Sequence, residues 1–145
     1  MQVWQVINMI VGMNFNSVSA KAEEKKRGAK GITVNSSPKI VNIEKSEILD
    51  MKDVIRVDFN FTSKYEPDAG EISIDGSLLW RGESKKILKM WEDEKKLEPI
   101  AGLDILNTIF RKCLARSVML AEDVRLPPPI QFPYVVKGEK GEKAA

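Results

Sequence analysis

Between Pro99 and Pro129 the chain carries one long amphipathic helix pattern that runs into three consecutive prolines. Pro99 suits the first turn of a helix, where its missing N–H removes no intrahelical bond. Apolar residues then recur at helical spacing: Leu103, Leu106, Ile109 with Phe110, Cys113 with Leu114, Ser117 with Val118, and Ala121. Ile105, Met119 and Leu120 widen that stripe, and a stripe this broad is normally covered on more than one side. Asp104 near the start and Arg125 near the end complement the helix dipole. Leu126 precedes Pro127, which drives it out of helical geometry, and Pro127-Pro128-Pro129-Ile130 must continue as an extended strap. A helix of this length and breadth needs an apolar surface to lie on, and the rest of the chain has to supply it.

Period-two segments supply it. Val11, Met13 and Phe15 alternate with Gly12, Asn14 and Asn16, and the pattern runs on, less cleanly, to about Ala22. Glu23 to Lys30 is a charged loop, and Asn35-Ser36-Ser37-Pro38 has the composition of a turn. A second strand is expected over Lys39 to Leu49, with Val41 and Ile43 on one face. The polar run from Glu44 to Glu47 marks an edge or a bulge there. Val54 to Thr62 alternates strictly: Ile55, Val57, Phe59 and Phe61 face one way, and Arg56, Asp58, Asn60 and Thr62 the other. Lys64 to Gly70 reads as a turn, after which Ile72, Ile74, Leu78 and Trp80 share a face that Gly76 interrupts. Ser84 is an expected N-cap for a short helix over Lys85 to Lys96 with Ile87, Leu88 and Trp91 on one side. Strands first and helices after define an α+β domain: a four-stranded antiparallel sheet, then a short helix and one long helix packed on it.

At 145 residues the chain fits one domain, and such a domain hides roughly two thirds of its unfolded surface. The expected division is an N-terminal extension over residues 1–10, a single domain over 11–136, and a disordered charged tail over 137–145. Twenty-three basic residues against 21 acidic ones leave a net charge of +2, so no global field points to nucleic acid or membrane. The basic residues do cluster locally, at Lys21 to Lys30 and at Lys137 to Lys143.

The chemistry-bearing residue types are scarce. Histidine is absent, which removes the commonest general base and metal ligand. The single cysteine, Cys113, lies in the helical stripe and reads as a small buried hydrophobe; no intrachain disulfide can form. Glu92, Asp93 and Glu94 read as a solvated helix surface, and Glu66 with Asp68 as part of a proline turn. There is no P-loop, dinucleotide fingerprint or zinc spacing, so catalytic, cofactor and metal sites are all expected to be absent. No run approaches the ~20 apolar residues of a membrane span. A cytoplasmic, non-enzymatic protein is expected. Trp80, Trp91, Phe132 and Tyr134 either line an apolar groove beside the proline strap or form ordinary core. The methionines, including Met9, Met13, Met51, Met90 and Met119, would make such a surface adaptable.

The order of elements resembles the SecB family of export chaperones, in its archaeal SecB-like branch. Met13-Asn14-Phe15-Asn16-Ser17-Val18 is similar to the family's first strand, and the segments 39–49, 54–62 and 71–80 to strands two to four. Ile105 to Val124 resembles the main helix, and Leu126-Pro127-Pro128-Pro129-Ile130-Gln131-Phe132 the proline-containing stretch after it. The resemblance covers about residues 11–132. It implies an ATP-independent holdase, possessing no cofactor, that assembles as a dimer or a dimer of dimers and holds unfolded polypeptide clients in apolar grooves between sheet edge and helix. On that reading Trp80, Trp91, Leu126, Ile130, Phe132 and Tyr134 contact the client. Bacterial members are strongly acidic and use that acidity to dock the export motor. This chain is mildly basic, and its tail is of mixed charge. The departure raises an alternative, a ribosome-associated protein of the same fold that contacts rRNA through Lys21, Lys25, Lys26, Arg27 and Lys30.

Overall fold

The computed structural model describes residues 9–26, 31–47 and 52–130. Four antiparallel strands, β1 (Met9–Ala22), β2 (Thr33–Ser46), β3 (Val54–Glu66) and β4 (Gly70–Arg81), form one sheet in the order β1-β4-β3-β2. Two helices follow, α1 (Ser84–Glu94) and α2 (Pro99–Asp123). The fold is the α+β arrangement expected from the period-two segments and the helical stripe.

The central hairpin sets the core. Along β3 the residues Ile55, Val57, Phe59, Phe61, Ser63 and Tyr65 point inward, opposite Trp80, Leu78, Gly76, Ile74, Ile72 and Gly70 of β4. The alternation continues past Thr62, so the turn is confined to Pro67–Ala69 rather than starting at Lys64. Tyr65 therefore sits in the core, where its hydroxyl donates to the Pro127 carbonyl at 2.7 Å.

Both outer strands correct the sequence reading. The Asn35–Pro38 segment is no turn but the middle of β2, with Pro38 opposite Phe61. An edge strand tolerates a residue that has no N–H to offer, and β2 is an edge. β2 is the edge that the polar run from Glu44 to Glu47 suggested, but its bulge lies outside that run, at Val41, where the register shifts between Ile40 and Asn42. One extra residue reverses the parity of a strand. Inward positions are Val34, Ser36, Pro38 and Ile40 before the bulge, and Ile43 after it. Val41 and Ile43 thus do not share a face: Ile43 is buried and Val41 is exposed. In β1 two register shifts, between Ile10 and Gly12 and between Phe15 and Ser17, break the alternation in the same way. That is why the pattern there was less clean. Ile10, Met13, Phe15, Val18 and Ala20 lie opposite the inward residues of β4, and Val11 does not.

Helix α2 starts as its sequence demands. Glu98 accepts hydrogen bonds from the N–H groups of Ile100 (3.1 Å) and Ala101 (2.7 Å), and Pro99 occupies the first turn. Its buried line is Ala101, Ile105, Ile109, Cys113, Ser117 and Ala121. Most of these are small, so the helix approaches the sheet closely. The buried hydroxyl of Ser117 is satisfied by the Cys113 carbonyl at 2.7 Å. The stripe is covered on one side only: Leu103 and Met119, expected within it, are exposed, as is Ile100. Beyond the helix Leu126 returns to the core, its N–H donating to the Ala121 carbonyl. Ser84 is the first residue of α1 rather than its cap, and it is buried.

Candidate functional site

Helix α2 lies over β2, β3 and β4 and touches β1 least. The inner face of β1 is consequently the part of the sheet left open. Phe15 is 36% exposed and Val18 41%, although both face the side that carries the helix. Their floor is built by Gly76. A Cβ there would meet the Asn14 carbonyl and come within 2.8 Å of the Phe59 ring. Without it, the rings of Phe15 and Phe59 meet edge to face across β4, 6.5 Å apart. Met13 and Ala20 extend the same apolar strip along β1, half-buried against the core. On α2, Phe110 stacks edge to face on Phe61 and Leu114 packs beside it, while Leu106 and Val118 are half-buried on the same flank. On α2, Ile100 and Leu103 near its start and Met119 near its end are also exposed, well separated along the helix.

The opposite sheet face is polar and largely satisfied from within. Asp75 accepts from Ser17 at 3.0 Å and from Asn60 at 2.8 Å, and Thr62 donates to Asn60 at 2.8 Å. Arg56 reaches Glu44 at 2.6 Å and Asp58 at 3.2 Å. Arg56 is thus shared between two carboxylates, while Asp75 is held by neutral donors alone.

The residues expected to contact a client are not gathered on one open surface. Trp80 is 2% and Trp91 9% exposed, and Leu126 is buried with them in the core. Ile130 is half-buried, and Phe132 and Tyr134 lie outside the described residues. In the basic loop Lys21 and Lys25 are exposed, Lys26 ends a short 3-10 turn over Glu24–Lys26, and Arg27 and Lys30 lie outside the described residues. Phe15 and Val18 are the surface residues that sequence reasoning did not single out. Their signal was the alternation of β1 itself, but nothing in the pattern says that the helix stops short of that strand.

No group of three or more metal-ligating side chains occurs among the described residues, and no helix there is long and apolar enough to cross a membrane. Burial pushes the Tyr65 hydroxyl and the Cys113 thiol each up to about 12, so both stay protonated at neutral pH.

No family model and no curated protein sequence matches this chain. Among solved structures it is similar to Mycobacterium tuberculosis Rv1957, a SecB-like chaperone in complex with a ChAD peptide from the Rv1956 HigA1 antitoxin. The superposition has a TM-score of 0.60, covers 86% of this chain and 88% of the other, and carries 14% sequence identity. The chain has a SecB-like fold. At that identity the SecB-like likeness concerns the path of the backbone, and what the surface does has to be argued from its own residues.

Proposed function

We propose that this protein is a holdase chaperone that works without ATP, binding non-native polypeptide segments along the inner face of β1. The observation that carries the reading is the open position of Phe15 and Val18 on the sheet face that otherwise forms the core. An unfolded chain exposes short apolar segments, and an apolar strip beside a free strand edge can hold them with few sequence-specific contacts. β1 is an edge strand, with no strand beyond it among the described residues. The SecB-like structural neighbour holds a peptide, which supports a polypeptide occupant. Self-association is expected through α2, whose first turns leave Ile100 and Leu103 exposed. An export role and membership of an archaeal branch rest on the sequence resemblance.

The test is suppression of aggregation of an unfolded client, without nucleotide, by the wild type and by the double variant Phe15→Ser, Val18→Ser. Both side chains are over one third exposed, so the variant should fold. Client protection should fall while sedimentation shows the same oligomer. A wild type that protects no client, or a variant that protects as well as the wild type, would remove this reading.

A further inference from the structure

Where α1 begins, the end of β2, the residues ahead of β3 and the helix itself leave a cleft of about 660 Å³ between them. Lys45 of β2, Lys52 ahead of β3 and Lys85 of α1 all line it. Three segments thus bring three lysines to one concavity. Glu47 and Asp53 line it too, so three basic side chains face two acidic ones and leave one positive charge in excess. None of the three lysines lies within ion-pairing distance of a carboxylate among the described residues.

The helix end adds to that charge. An α-helix carries about half a positive charge at its N-terminus and favours acidic side chains there. The first turn of α1 has no acidic residue, and Lys85 and Lys86 stand in it instead. Glu83, at the capping position, makes no side-chain cap bond and lies 3.9 Å from Lys86. Ser84 is a separate sign of a missing occupant. It is 5% exposed and lines the cleft, yet its hydroxyl has no hydrogen-bond partner among the described residues. Buried hydroxyls are nearly always paired, and the cleft is the side from which a partner can reach this one.

We propose that this cleft binds the phosphate group of a small molecule, seated at the N-terminus of α1 among Lys45, Lys52 and Lys85, with the Ser84 hydroxyl donating to one of its oxygens. Phosphate suits the site better than a carboxylate. The side-chain excess of one and the roughly half charge of the helix end together match the charge of about −1.5 to −2 that a phosphate monoester carries at pH 7. Its three acceptor oxygens let several ammonium groups and a hydroxyl bind at once. A small molecule suits the site better than a nucleic acid. The cleft has the size of small-ligand pockets, and a chain of net charge +2 offers no long basic track for a polymer backbone. Leu88 gives the cleft an apolar wall against which the rest of an ester can lie. The site is at the β2 side of the sheet, away from the β1 strip, and does not depend on the holdase reading.

The experiment titrates the full-length protein with inorganic phosphate, ribose 5-phosphate or ribose, at fixed ionic strength so that screening stays constant. Backbone amide NMR spectra give the readout. The N–H signals of Ser84 and Lys86 should move saturably with both phosphates and stay still with ribose. Tighter binding of ribose 5-phosphate would make an ester the occupant, and equal binding would make it free phosphate. The double variant Lys52→Gln, Lys85→Gln changes two exposed side chains and should fold as the wild type does. Its affinity for the phosphate probes should fall at least about tenfold. Ser84→Ala should weaken them about 2- to 10-fold, the loss expected for one hydrogen bond. Signals that stay still with both phosphates, equal movement with ribose, or a lysine variant that binds within about twofold of the wild type would each overturn the site. If the lysine variant does not fold, the wild-type titrations and Ser84→Ala decide.

Discussion

Phe59→Ala tests whether the inner sheet face is organised as described. Phe59 is 1% exposed, lies over Gly76, stands opposite Ile40 on β2, and meets the Phe15 ring at 6.5 Å. Deleting a fully buried phenyl ring costs about 3–5 kcal/mol, the spread reflecting how far the site can collapse. Here one wall is Phe15, which is partly exposed and free to settle inward, so the low end, about 3 kcal/mol, is expected. In a chain of this size that corresponds to a fall in melting temperature of roughly 6–12 °C. Urea unfolding followed by tryptophan fluorescence, at one protein concentration because oligomers gain stability with concentration, would show the midpoint move with unchanged slope. The companion Phe15→Ala should cost about 1 kcal/mol or less, and the double variant should cost less than the sum by about 0.5–1.5 kcal/mol for the lost ring pair. A Phe59→Ala loss within ~0.5 kcal/mol, or strict additivity with Phe15→Ala, would refute the packing scheme.

Three further outcomes are expected. Gly76→Ala forces a Cβ against the Asn14 carbonyl and the Phe59 ring and should cost about 1–3 kcal/mol, seen as early hydrogen exchange in β1. Alkali should destabilise the fold: unfolded tyrosine releases its proton near 10.0, whereas folded Tyr65 holds it to about 12, so stability present below pH 10 is lost as pH rises through 12. That loss is at most about 3 kcal/mol, and Tyr65→Phe should flatten it in pH-dependent urea titrations while costing about 0.5–1.5 kcal/mol at neutral pH for the bond to Pro127. If the protein is instead a ribosome-associated one held by its basic loop, co-sedimentation with ribosomes must weaken steeply with salt and fail after Lys25, Lys26 and Arg27 are changed to Ala.

Much of the architecture was legible because the governing signals are local. The strict alternation from Val54 to Phe61 could be nothing but a two-faced strand, and Pro99 with the spacing that follows could only start a helix. What escaped was of three kinds. Bulges at Val11, Asn16 and Val41 shift parity by one residue, and no composition rule locates them. Ser37-Pro38 looks like a turn, and only the position of β2 at the sheet edge makes it acceptable strand. Exposure of Phe15 and burial of Trp80 and Trp91 depend on where the helices stop across the sheet, which is a tertiary fact. Aromatic residues near a proline strap therefore suggested the wrong depth for the tryptophans without misreading the fold that holds them.

The two edges of this sheet are treated in opposite ways, and the difference constrains any docking. β2 carries Pro38, a bulge at Val41 and lysines at 39 and 45, the devices that discourage a strand from pairing with another chain. β1 has its own two bulges, but between them and the hairpin end it runs from Ser17 to Ala22 in unbroken register with β4. Its outer side chains there are held by neighbours, as Ser17 is by Asp75, while its inner ones, Val18 above all, stay open. A strand that is regular, backbone-free on one side and apolar on its inner face offers main-chain pairing and side-chain burial at once. An extended segment laid there would gain both, whereas one laid along β2 would meet a missing donor at Pro38 and a kink three residues later. On the holdase reading proposed above, this asymmetry favours β1 over β2 as the edge that would take a non-native chain.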